Sequence, residues 1–239
     1  MTSKELIAEI RAFCAANADE AIVKKYSRYF KGEYHAYGLT QPLLKGKIKE
    51  LLNNKELTLN LVLEAAPELI AAQKYEEAVF VLLMTDAHKK QFDKKLFYAI
   101  AGWYNVGISN WAHADVLGMM ILPRFLEKDI VTPEDFRPWL SANNPFQRRS
   151  VPVTLIKHIK KNHTAIVPFF DFLEPLMNDP IREVHQGIGW YLREAWKINP
   201  EATELFLSKW KETSPRLIFQ YACEKMSKEK KEQFKRSKK

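Results

Sequence analysis

The segment Asn110-Trp-Ala-His-Ala-Asp115 sets Trp111 and Asp115 four residues apart, and residues at that spacing project from one face of a helix. A carboxylate beside an indole plate suits a positively charged partner, because the ring face is electrostatically negative and the acid carries a full charge. Two further stretches carry comparable chemistry. Gln147-Arg-Arg-Ser150 holds Arg148 and Arg149, whose planar forks match phosphate through paired hydrogen bonds, and Gly187-Ile-Gly-Trp-Tyr-Leu-Arg193 holds Trp190. Each residue also has a plainer reading. A tryptophan in a helical chain commonly packs in the core, and two adjacent arginines commonly point apart with one merely solvated. Asp115 interrupts the apolar pattern Trp111, Ala112, Ala114, Val116, Leu117 and can be an ordinary exposed acid at a groove edge.

What must position these side chains is a series of helices. Apolar residues recur at three- and four-residue steps nearly throughout, glycine numbers only eight, and no Asn-Gly or Asp-Gly signal separates alternating runs. A capping residue followed by proline marks helix starts at Thr132-Pro133, Asn144-Pro145, Asp179-Pro180, Asn199-Pro200 and Ser214-Pro215. Pro152, about two turns beyond Asn144-Pro145, lacks a backbone donor and is expected to kink or break its helix. The helices also repeat. Placing Arg149-Ser-Val-Pro-Val-Thr-Leu155 over Gln186-Gly-Ile-Gly-Trp-Tyr-Leu192 aligns Asn162 with Asn199 at an offset of 37 residues, and one more such step back from Arg149 lands at Ala112. Helix-pair solenoids repeat at roughly 34 to 47 residues, and stacked pairs curve to make a concave surface from equivalent helices. Trp111, Asp115, Arg149 and Trp190 would then line one groove of an all-α solenoid.

Composition narrows the class. An apolar fraction of 46% over 239 residues supplies a folded core. The net charge of +8 invites a nucleic-acid partner, but residues 225–239 carry eight Lys or Arg against Glu229 and Glu232, so +6 of the total lies there. That run reads as a mobile basic tail behind a single domain over residues 1–224. Cys14 and Cys223 form no Cys-x-x-Cys pair, which argues against a disulfide framework or structural zinc and suggests a reducing, cytoplasmic setting. The histidines (His35, His88, His113, His158, His163, His185) lack His-Glu-x-x-His spacing, and His113-Ala-Asp115 is too short a pattern to mean metal. There is neither a Gly-rich phosphate loop nor a Gly-x-Ser-x-Gly elbow, so no metal or cofactor is expected. The opening residues already carry acids and a helical apolar period, and no run of 18 uncharged apolar residues occurs. Neither a standard export signal nor a membrane span is expected.

Asn110-Trp111 with Asp115, the Arg149 that follows Asn144-Pro145, and Gly187-Ile-Gly-Trp-Tyr-Leu-Arg-Glu-Ala-Trp-Lys-Ile-Asn-Pro200 together resemble the AlkD family of bacterial DNA alkylation-repair glycosylases. Arg28-Tyr-Phe-Lys-Gly and Tyr37-Gly-Leu-Thr-Gln-Pro42 resemble that family's opening, so the likeness runs through nearly the whole chain in order. The resemblance implies a single domain of HEAT-like helix pairs with a concave groove for duplex DNA. It implies hydrolysis of the N-glycosidic bond of N3- and N7-alkylated purines by a monomer, without metal or cofactor, leaving an abasic site. By position, Asp115 would be the catalytic carboxylate and Trp111 and Trp190 the aromatic plates against the lesion's deoxyribose and backbone. Arg149, or Arg148 in its place, would clamp phosphate, and Tyr29 would join the groove. The implied mode works from the backbone side of the lesion without enclosing the base.

This chain departs from the family pattern at Ala112, where Asp often follows the first tryptophan, at Gln186, where a basic residue is expected, and near Ala71-Ala72-Gln73, where the second repeat lacks a Leu-Trp pair. Two other functions compete: a HEAT-like protein that binds branched or damaged DNA without cleaving it, and a protein-binding helical scaffold. The carboxylate at Asp115 favours catalysis over the first. The steep salt dependence of phosphate-mediated binding distinguishes both DNA readings from the second.

Overall fold

A computed structural model describes residues 1–237 of the chain, and among them every regular element is helical. The α-helices are α1 (Ser3–Ala16), α2 (Glu20–Ser27), α3 (Gln41–Asn53), α4 (Leu59–Ala71), α5 (Tyr75–Ala87), α6 (Lys94–Val106) and α7 (Trp111–Val116). They continue as α8 (Leu122–Glu127), α9 (Pro145–Lys161), α10 (Ile166–Leu173), α11 (Arg182–Ile198), α12 (Pro200–Trp210), α13 (Arg216–Ala222) and α14 (Lys228–Gln233). Among the described residues no helix is long and apolar enough to cross a membrane.

The chain divides into two compact units, Met1–His113 and the part from Ala114 onward, with the boundary inside α7. In the first unit α4 packs against α1, α5 and α6, and α3 packs against α5. The core there includes Leu6, Ile10, Leu44, Leu69, Phe80 and Phe97. In the second unit α11 lies between α9 and α13, and α9 also packs against α8. Tyr191, Phe125, Phe136 and Phe219 are fully buried there.

The 37-residue repeat reappears as contact spacing between successive layers. In the second unit Arg149 reaches Asp115 across 34 residues, Gln186 reaches Tyr221 across 35 and Ser150 reaches the Ala114 carbonyl across 36. In the first unit Glu76 meets Gly38 and His113 meets Tyr75 across 38 residues each. Layers that stack at a similar offset are the signature of a helical solenoid.

The proline signals hold in part. Asn144 and Asn199 cap α9 and α12 through their side-chain oxygens, and Thr132 opens a turn of 3₁₀ helix at Pro133. Asp179-Pro180 does not start a helix, because α11 begins at Arg182 with the Asp179 carboxylate accepting the Ile181 N–H at 2.9 Å. Likewise α13 begins after Pro215 rather than at it. Pro152 neither breaks nor ends α9, which continues to Lys161. Thr154 Oγ1 donates to the Ser150 carbonyl at 2.7 Å, and Ser150 Oγ donates to that of Phe146 at 2.9 Å, each bonding back along the helix beside the proline.

Between α7 and α8 the chain makes a π-helical turn over Leu117–Ile121, in which the Leu122 N–H reaches back to the Leu117 carbonyl. Pro123, which has no N–H, follows directly. An inserted wide turn resets the hydrogen-bond register one residue ahead of it.

Among the described residues, the basic C-terminal segment makes several contacts with the helices ahead of it. Met226 and Phe234 are buried, the latter to 2% exposure. Arg216 and Arg236 donate to the carbonyls of Phe234 and Ser214 at 2.9 and 3.1 Å, and Lys230 pairs with Glu204 at 2.7 Å. Two apolar anchors and nearby acids therefore fold a segment that its charge alone marks as solvated. The last two lysines of that tail lie outside the described residues.

Candidate functional site

Helix α7 is set by Asn110 and His113. Asn110 Oδ1 accepts the His113 backbone N–H at 2.9 Å, while the Asn110 amide lies 2.8 Å from His113 Nδ1. His113 Nε2 lies 3.0 Å from the Tyr75 carbonyl, which can only accept, so the proton resides on Nε2 and Nδ1 accepts from Asn110. Burial pushes the imidazole pKa down to about 4, against the opposing pull of the Tyr75 carbonyl, so the ring is neutral. It stacks on Tyr75 at 5.0 Å.

Trp111, at the first position of α7, is half-buried. Its indole N–H donates to the Tyr29 carbonyl at 3.2 Å, and its ring stacks on Phe30 at 5.4 Å and 21°. Tyr29 is 55% exposed, with Arg28 4.9 Å from its ring and donating to its hydroxyl at 2.9 Å. The first unit thus joins Trp111 and Tyr29 directly.

The second unit joins Asp115 and Arg149. Arg149 Nε donates to Asp115 Oδ1 at 2.8 Å and Nη2 to Oδ2 at 2.9 Å, while Nη1 donates to the Glu183 carbonyl at 2.7 Å. The Arg149 side chain is 7% exposed and that of Asp115 is 20%. Such a fork fixes the plane of the carboxylate and occupies one lone pair on each oxygen, leaving the other pair of each directed away from the guanidinium. Opposite Arg149 stands Gly187 of α11, where a Cβ would lie 3.0 Å from Arg149 Cγ and 3.2 Å from its carbonyl oxygen. Glu183, Gly187 and Trp190 recur at helical spacing on one stripe of α11, so half-buried Trp190 occupies the same helix face as the residues that meet Arg149.

The two adjacent arginines do point apart, but neither is merely solvated. Arg148 donates to both carboxylate oxygens of Asp179, at 2.6 and 3.1 Å, and to the carbonyls of Ala142 and Asn143. Both guanidiniums donate to acceptors within the protein, and Arg149 keeps two N–H groups beyond those bonds.

Sequence reasoning passed over the aromatic cluster behind Trp111. Phe30 stacks on Tyr34 at 4.4 Å, Tyr34 lies 5.5 Å from Tyr75, and Tyr75 leads to His113. Five aromatic residues between Tyr26 and Tyr37 were the available signal. It also passed over Glu76, which is buried and accepts the backbone N–H groups of Tyr37, Gly38 and Leu39 at 2.8, 2.8 and 3.1 Å. Its neighbour Glu77, also buried, accepts from the Tyr37 hydroxyl at 2.8 Å and from Arg11 at 3.1 Å.

A model of the family described as DNA alkylation repair enzyme matches residues 10–226 of the chain. The chain belongs to that family. Among solved structures, this DNA alkylation repair family member is similar to a predicted DNA alkylation repair enzyme from Enterococcus faecalis. The two are 18% identical with a TM-score of 0.70, over 89% of this chain and 98% of that one. At that identity the likeness speaks for the fold. No curated protein matches the chain. Membership places it among enzymes that repair alkylated DNA, and Asp115, Arg149, Trp111 and Trp190 all lie within the matched residues.

Proposed function

We propose that this protein is a monofunctional alkylpurine DNA glycosylase of the AlkD type, acting as a monomer on N3- and N7-alkylated purines in duplex DNA. The observation that carries this reading is the Asp115 carboxylate, pinned in one plane by Arg149 yet retaining solvent exposure.

The chemistry follows from the charge of the lesion. An N3- or N7-alkylated purine is cationic, so when the bond from C1′ to the base nitrogen breaks, its electron pair neutralises the departing base and no acid is needed. Positive charge then develops on the sugar. A preorganised carboxylate stabilises that oxocarbenium-like cation and orients a water whose oxygen bonds to C1′, the water's proton passing to the carboxylate or to solvent. Trp111 and Trp190 present indole faces suited to partly positive sugar C–H groups. Arg149 acts here as a positioning residue: it holds Asp115, and only its two uncommitted N–H groups remain for phosphate.

The test is release of free 7-methylguanine and 3-methyladenine from methylated duplex DNA by the unaltered protein and by Asp115→Asn. The reading expects release that collapses in the variant while DNA binding survives. It also expects no appreciable release of uracil or hypoxanthine, whose neutral bases are poor leaving groups without protonation. Duplex binding with no release from either protein would replace it with the non-catalytic DNA-binding reading.

A further inference from the structure

Two glycines of α11 seat different neighbours. A Cβ at Gly187 would lie 3.0 Å from Arg149 Cγ, and one at Gly189 would lie 2.6 Å from Tyr221 Cβ, so the missing side chains let α9 close in on one side and α13 on the other. At about 3.6 residues per turn, the arc of α11 between those two contact lines carries Arg182, Gln186, Trp190, Arg193 and Lys197. The arc behind it, with Val184, His185, Ile188, Tyr191, Leu192 and Ala195, is buried. The front arc is therefore the surface on which Trp190 stands. Arg193 and Lys197 are closed on the Glu194 carboxylate at 3.2 and 2.8 Å, while Arg182, one turn ahead of Gln186, is exposed. Glu183 lies at the α9 edge of the arc, away from Tyr221. Gln186 Nε2 donates to the Tyr221 hydroxyl oxygen at 2.8 Å, and both side chains are half-buried. That bond uses the phenol oxygen as an acceptor and leaves its own O–H to donate, and among the described residues no acceptor takes it.

We propose that Tyr221, oriented by Gln186 and accompanied by Arg182, holds a backbone phosphate of the duplex that Trp190 faces. With the phenol oxygen engaged by Gln186, the O–H and the Arg182 guanidinium face outward as donors, which suits an anion with several acceptor oxygens. Contacts of this kind fix register and orientation and carry no sequence preference. Arg149 stands on the α9 side of Trp190 and Tyr221 on the α13 side, so the contact braces the strand across Trp190 from Asp115. The phenol is uncharged and strengthens binding without releasing a counterion, whereas Arg182 adds to the salt dependence. The proposal rests on the duplex-DNA part of the glycosylase reading and not on its chemistry.

The experiment is fluorescence anisotropy with the intact protein and a duplex carrying one stable abasic-site analogue, which fixes the register and has no base to release. Tyr221→Phe is expected to weaken binding about fivefold with the same slope of log Kd against log salt, and Gln186→Leu, which frees the phenol, to lose part of that. Arg182→Ala is expected to lower the slope by about 1. Replacing one phosphate at a time by an uncharged methylphosphonate should reveal one position where the unaltered protein loses about tenfold and Tyr221→Phe distinctly less. Urea unfolding of each variant separates these losses from a folding defect. Tyr221→Phe binding like the unaltered protein, or equal sensitivity of the two proteins at every methylphosphonate position, would overturn the proposal. Release of methylated bases with Tyr221→Phe binding unchanged would remove the phosphate contact and leave the glycosylase standing. The expected binding losses without release would do the reverse.

Discussion

Arg149 and Asp115 are joined through both carboxylate oxygens, at 2.8 and 2.9 Å, across 34 residues of sequence and between two adjacent helices. Because a third N–H of the same guanidinium is fixed on the Glu183 carbonyl at 2.7 Å, neither side chain can rotate alone. The pair ties α7, α9 and α11 together at the carboxylate on which the proposed chemistry depends.

Arg149→Lys should therefore be damaging although charge is kept. A lysine cannot reproduce the fork, and a misplaced carboxylate is expected to lower kcat for methylpurine release by roughly a hundredfold with little change in KM. Arg149→Ala should also destabilise the fold by about 3 kcal/mol, since it strands a half-desolvated acid. Single-turnover release and urea unfolding measure the two effects separately, and a kcat for Arg149→Lys equal to that of the unaltered protein would remove the positioning role.

Gly189 and Gly102 should respond oppositely to alanine. At Gly189 a Cβ would lie 2.6 Å from Tyr221 Cβ and 2.8 Å from the Ile218 carbonyl oxygen, and a backbone atom cannot step aside by changing rotamer. Overpacking of about 1 to 3 kcal/mol should outweigh the helix-propensity gain of about 1 kcal/mol. Gly102 of α6 has nothing within 4 Å, so Gly102→Ala should keep that gain. The urea midpoint should fall for the first variant and rise for the second.

Acid should weaken the fold through His113. Its pKa is about 4 in the folded protein, below the ordinary histidine value of 6.5, so the unfolded chain takes up the proton first. The stability contribution is complete above pH 6.5 and is lost as the pH falls towards 4, with a total of roughly 3 kcal/mol. His113→Gln should flatten the change in urea midpoint over that window. A slope identical to that of the unaltered protein would assign the acid sensitivity to other groups.

Glu76→Gln should cost about 2 kcal/mol. Glu76 accepts three backbone N–H groups on two oxygens, and a glutamine must turn its NH₂ towards at least one of those donors. A lowered thermal midpoint is expected, and an unchanged one would mean that the 37–39 segment is held by other contacts.

Periodicity, caps and the 37-residue offset made the all-helical, layered build legible in the sequence, because helical burial imposes its spacing on every turn. The four candidate residues Trp111, Asp115, Arg149 and Trp190 were legible as types. Their pairing was not. Whether Arg149 meets phosphate or Asp115, and whether Arg148 stays free or closes on Asp179, depends on which helices lie side by side, and no local spacing encodes that choice. The same holds for the aromatic cluster behind Trp111, whose residues come from the loop after α2 and from α5 and α7. It holds also for the C-terminal segment, which its composition marks as solvated. There Phe234 and Met226 are buried, and burial of that kind is decided by how the helices ahead of them pack, not by the local run of charge.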